Sequence, residues 1–186
     1  MHSQPIKRLK TYTGSFTSIQ LDFVARPPLD FNERRKSAAN YPTELASLKV
    51  YIDDTDALPI DFVPAAYCCP LFEGLFDAIP AILDGGMASS EWLSSPWKID
   101  LHGDPRHNQV SITIHLQGRW VAVENANVPL DQLCHEVIRI GQKWLEYIDT
   151  IYHEEVIHPD MGKQYRQLES HLKMAEQAVA KYNAEK

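Results

Sequence analysis

Between Val110 and Tyr152 the hydrophobic period changes within a few residues, and this constrains the fold more than any other stretch of the chain. Val110, Ile112, Ile114 and Leu116 alternate with Ser111, Thr113 and His115, the period-two pattern of a strand with one buried face. Gln117-Gly118 supplies a turn, and Arg119 to Glu124 supplies a return strand. Pro129 then opens a helix in which Leu130, Leu133, Cys134, Val137, Ile138, Gly141, Trp144, Leu145, Ile148, Ile151 and Tyr152 share one broad stripe. A hairpin that feeds an amphipathic helix of about 129–153 places the chain in the α+β class.

The flanking patterns extend this layout. Ile19, Leu21 and Phe23 alternate along a strand that Arg26-Pro27-Pro28 ends, since proline cannot donate to a ladder. Asn32 to Ala39 suits a short helix, and Leu48, Val50 and Ile52 a short strand that stops at Asp53-Asp54-Thr55-Asp56. Residues 57–70, with Pro59, Pro64 and Pro70, read as an irregular connection. Leu71, Phe72, Leu75, Phe76, Ile79, Ile82 and Leu83 recur at helical spacing, with Pro80 expected to kink or split the helix and Gly85-Gly86 to stop it. Trp97, Ile99 and Leu101 begin a strand that Gly103-Asp104-Pro105 turns towards residues 110–116. The reading is therefore an antiparallel sheet of four to five strands, with a meander at about 97–124. The long helix covers one face of it. Residues 163–186 form a last helix whose narrow stripe of Tyr165, Leu168, Leu172, Ala175, Val179 and Tyr182 suits a coiled-coil seam. That helix is expected either to dock lightly or to project from a single 1–186 domain, where it could pair with a second copy.

Charge is distributed unevenly. Residues 1–49 carry eight basic and four acidic side chains, and residues 50–110 carry two and ten. Residues 111–160 carry three and eight, and residues 161–186 five and three, for a net charge of −7. An acidic middle repels nucleic acid and membrane phosphates and attracts basic partners. No apolar run approaches the roughly 20 residues that span a bilayer. The odd cysteine count, with Cys68 beside Cys69, makes no disulfide framework and suits a reduced, cytoplasmic setting.

Motifs of chemistry are weak. His153 and His158 are five residues apart, whereas a helical zinc pair needs four, and His158 precedes Pro159. His102, Asp104 and His107 lie in or beside one turn, with His115 on the next strand, so convergence on a metal is open. Asp53, Asp54 and Asp56 resemble the start of a calcium loop, but Leu58 and Pro59 stand where its later ligands belong. No Gly-x-Ser-x-Gly elbow and no glycine-rich phosphate loop occurs. Arg34-Arg35-Lys36 is the one basic cluster, too little for a nucleic-acid surface. Of Trp92, Trp97, Trp120 and Trp144, the last falls on the helix stripe, and any left exposed on a sheet face would be an interface anchor.

With no catalytic residue, metal site or cofactor nominated, the expectation is a non-enzymatic module that binds a basic protein. An immunity protein or antitoxin that blocks a nuclease toxin has this profile. Asp53, Asp54, Asp56 and Asp61 are the expected contact residues, because they cluster on a connection, where binding side chains are often carried. Two alternatives stand beside it: a hydrolase whose His, Asp and Glu residues converge only in the fold, and an adaptor or chaperone that pairs through its C-terminal helix.

Overall fold

Residues 11–26, 45–58, 66–91, 97–116, 120–159 and 162–186 are described by the computed structural model. In chain order the elements are β1 (Tyr12–Ser15), β2 (Ile19–Arg26), β3 (Leu45–Ile52), β4 (Thr55–Asp56), β5 (Ala66–Tyr67), α1 (Cys68–Leu83) and β6 (Met87–Glu91). After them come β7 (Trp97–Asp104), a single 3-10 turn (Pro105–His107), β8 (Gln109–Leu116), β9 (Trp120–Pro129), α2 (Leu130–Ile157) and α3 (Lys163–Ala184). The fold is α+β, with strands in two sheets.

The meander is present as β7–β8–β9, extended by β6 at one edge and by β1, parallel to β9, at the other. Neither added strand shows in the hydrophobic pattern, because Tyr-Thr-Gly-Ser and Met-Ala-Ser-Ser-Glu lack alternation. The strand of Ile19, Leu21 and Phe23 does not join this sheet. It pairs antiparallel with β3 from Ile19↔Ile52 to Arg26↔Leu45, and β4 and β5 complete a second, smaller sheet. The single sheet expected from the sequence is therefore two, since alternation marks a strand but does not name its partner.

Packing follows from which faces are apolar. Ile19, Leu21, Leu48 and Val50 of the small sheet meet Ile99, Leu101, Ile112 and Ile114 of the large one, with Leu75 of α1 and Leu133 of α2 between them. All ten are aliphatic, so this contact is dry. The helices complete the cover, and an aromatic cluster of Phe23, Phe72, Phe76, Trp144 and Tyr147 joins β2 to α1 and α2.

Each helix carries a local signature. In α1 the helix runs through Pro80 unbroken, and Gly85, at φ +80°, ends it. There Gly86 N–H donates to Ala81 O and Gly85 N–H to Ile82 O, the paired bonds of a Schellman stop. In α2 the expected stripe is buried, except that Ile138 is half-buried and Ile151 exposed, and Ile140 is packed inside as well. Tyr152, at φ −127° and ψ 36°, interrupts the helix before its last turn. Gly141 is required where α2 crosses α1, because a Cβ there would lie 2.3 Å from the Phe76 ring. Helix α3 does not project. Leu168, Leu172, Ala175 and Val179 are buried against α1 and α2, so the stripe left open for a second copy is covered within the chain.

Candidate functional site

Of the four aspartates expected at the contact surface, Asp53, Asp54 and Asp56 are described, and they separate once the turn is folded. Asp53 and Asp54 have φ of 44° and 62°, and the pairs Tyr51↔Asp56 and Ile52↔Thr55 flank them. That is a two-residue type I′ hairpin, a rigid turn rather than the irregular connection read from sequence. Asp53 Oδ1 accepts the N–H groups of Thr17 and Ser18, each at 2.9 Å, and both hydroxyls. Desolvation raises the pKa of this carboxyl, and those hydrogen bonds outweigh it, so the carboxyl titrates below the usual range. Asp56 forms an ion pair with Lys49 at 3.1 Å and accepts from Leu58 N–H. Asp54 is exposed, with no ion pair or hydrogen bond among the described residues. Asp61, Trp92 and the 32–39 segment lie outside the described residues, as do the side chains of Trp120, Cys68 and Cys69.

A second set of carboxylates is consumed along β2. This strand lies at the edge of the small sheet, yet α2 runs beside it and presents Gln132, Glu136 and Arg139 to its outward backbone groups. Glu136 Oε2 accepts Leu21 N–H at 2.8 Å, Arg139 donates to Leu21 O, and Gln132 Oε1 accepts Ile19 N–H at 3.3 Å. Arg139 also pairs with Glu136, and Lys143 with Asp22 at 2.7 Å. Three side chains thus do the work of a neighbouring strand along the Ile19–Leu21 end of this edge. Burial raises the Glu136 pKa, but the guanidinium and the Leu21 amide prevail and hold it below the usual range.

The histidines do not converge. His107 pairs with Asp104 at 2.7 Å, His115 with Asp100 at 2.9 Å, and His153 with Asp149 at 2.9 Å. His102 is exposed on the outer face of the large sheet. Among the described residues no group of three or more His, Cys, Asp or Glu is placed to hold a metal ion. Burial pushes the Cys134 thiol up to about 12, with Asp131 adding to the shift, so it packs as a small apolar group.

On that outer face a polar cluster forms that the sequence does not suggest. Asp100 on β7 receives Ser89 Oγ from β6, Lys98 Nζ at 2.8 Å and His115 Nε2 from β8. Desolvation raises the Asp100 pKa, and these bonds together lower it further than burial lifts it. The hydroxyl and the imidazole bind opposite oxygens of one carboxylate. Nucleophile activation needs the imidazole on the hydroxyl, so this arrangement has the wrong order for a triad. Beside it Asn125, at φ 47°, sits in a β-bulge where its N–H donates to Thr113 Oγ1.

A collection of carboxylates lies between α2 and α3. Gln142, Leu145, Glu146 and Asp149 of α2 face Tyr165, Glu169, Leu172, Lys173 and Glu176 of α3 across a groove of about 400 Å³. Against four carboxylates stands one ammonium, Lys173, 3.7 Å from Glu169. The Tyr165 phenol reports the resulting potential: desolvation first, then Asp149 and Glu169, raise its pKa. These residues flank the apolar stripes at positions 146 and 149, and 169 and 176. Their spacing beside the stripes carries no signal of a groove, which exists only because α3 packs on α2.

No protein-family description, no curated protein and no solved structure matches the chain. Among the described residues no helix is long and apolar enough to cross a membrane.

Proposed function

We propose that this chain is a non-enzymatic, cytoplasmic protein-binding module that presents acidic surface to a basic partner protein, in the manner of an immunity protein or antitoxin that occludes a nuclease toxin. The observation that supports it is the α2–α3 groove, where exposed Glu146 and half-exposed Asp149, Glu169 and Glu176 outnumber Lys173. A groove of one sign focuses its field and speeds encounter with the opposite charge. Asp54 is exposed at the β3–β4 turn, apart from the groove, and Asp53 and Asp56 serve the fold.

The test is a pull-down from source lysate at low and high salt with two baits. One is the wild type; the other combines Glu146→Gln, Asp149→Asn, Glu169→Gln and Glu176→Gln. The reading expects a basic protein held by the wild type at low salt, lost at high salt and missing from the variant, and an activity of that protein blocked by the wild type. Equal recovery by both baits would refute the groove as the contact.

A further inference from the structure

Strand β6 ends the large sheet, and among the described residues it presents a regular row of outward backbone groups. On the β2 edge Gln132, Glu136 and Arg139 take up the outward groups of Ile19 and Leu21, β4 has two residues, and β1 is a short parallel strand broken by Gly14 at φ +106°. The ladder phase of β6 is fixed by Gly103 N–H donating to Gly86 O. Hydrogen-bonded pairs alternate in an antiparallel ladder, so Ala88 and Ser90 bond to β7, while the backbone N–H and C=O groups of Met87, Ser89 and Glu91 point off the sheet. Among the described residues nothing receives them. Their side chains stand on the exposed face, and Met87 is 75% exposed.

We infer that this edge is a homodimer interface, in which β6 pairs antiparallel with β6 of a second copy about a two-fold axis at Ser89 and joins the two five-stranded sheets. Three outward residues centred on Ser89 make the edge self-complementary. In that register Ser89 faces its own mate, Met87 faces Glu91 of the other copy, and all three residues fall in hydrogen-bonded pairs. The two Glu91 carboxylates are then about 13 Å apart along the strands, so no like charges stand opposite. Closed two-fold pairing also ends at two copies, which consumes the edge instead of propagating it. Each copy carries a net charge of −7, so this association strengthens with salt, opposite to the binding of a basic partner. The two ideas therefore fail separately.

Sedimentation equilibrium of the full chain over micromolar to submillimolar concentration tests it. The expected mass rises from 21.2 kDa towards twice that value, and more readily at higher salt. Ser89→Pro, which removes an outward N–H and no backbone bond to β7, should abolish the rise, and Ser89→Ala, which drops only the side-chain bond to Asp100, should keep it. Met87 is exposed, so its substitutions leave the fold intact. Met87→Glu should weaken the dimer roughly tenfold, because like charges then stand opposite at two places. Met87→Lys should tighten it by a similar factor. A wild type that stays at the monomer mass throughout, or a dimer indifferent to both Met87 variants, overturns the inference.

Discussion

The carboxylates around strand β2 and those of the α2–α3 groove have the same chemistry and opposite fates. Asp53 ties the Thr17–Ser18 turn, Asp56 holds Lys49, Asp22 holds Lys143, and Glu136 stands in for a missing strand at Leu21. In the groove Glu146, Asp149, Glu169 and Glu176 come from two helices whose backbone bonds are satisfied internally. A carboxylate near irregular or edge backbone finds N–H groups to accept and is consumed by the fold. One on the flank of a helix finds no backbone N–H and meets only neighbouring side chains, as Glu176 does Gln142 and Asp149 does His153. Clustering along the chain therefore does not identify the charge a partner meets.

Beneath both regions lies the aromatic cluster, which sets the scale of effects. Trp144 has no exposed surface, and Trp144→Ala should destabilise the protein by roughly 3–5 kcal/mol, read from the urea midpoint. Next comes Glu136→Ala, which leaves Leu21 N–H unbonded and Arg139 unpaired beside the β2 edge. The expected loss is about 2 kcal/mol by urea denaturation, in line with removal of a charged hydrogen-bond partner. A loss no larger than that from a groove carboxylate would erase the distinction between the two regions.

Acid separates the regions by sign. Asp22, Asp53 and Glu136 have folded pKa values below their unfolded values of roughly 4. Their stabilisation is thus complete above about pH 4 and is lost as pH falls through the lower, folded values. Melting temperature against pH should show this fall in the wild type, and a shallower one in Glu136→Gln. The fourfold groove variant should keep the wild-type acid limb, and its stability at neutral pH should lie within about 0.5 kcal/mol of wild type, as is usual for exposed positions. An acid limb that moves with the groove variant would show those carboxylates to be structural.

The contrast also explains what was legible in the sequence. The stripes of α1, α2 and α3 and the alternation of β7 and β8 are periodic, so the apolar core and the α+β class could be read from spacing. Helix α1 starts at Cys68, inside the segment read as irregular, because its first turn adds no new period. Strands β1 and β6 carry polar residues outside a hydrophobic alternation, and only their neighbours make them strands. The bond from Leu21 to Glu136 spans 115 positions, and the Ser89–Asp100–His115 cluster needs three strands in register. Neither leaves a local signal. The acidic run at 53–56 was conspicuous, and the turn chemistry that uses it was hidden, since Asp tolerates the left-handed conformation that a type I′ turn demands.

The most direct test is the rate of association with the partner recovered by the pull-down, measured against ionic strength for three proteins. These are the wild type, the fourfold groove variant and the turn variant with Asp53→Asn, Asp54→Asn and Asp56→Asn. The account predicts that the groove variant associates several-fold more slowly at low salt with a flattened salt dependence. The turn variant should stay close to wild type in rate while melting at a lower temperature. A groove variant whose curve superimposes on wild type, with the turn variant slowed instead, would contradict the account and return recognition to the aspartates of the turn.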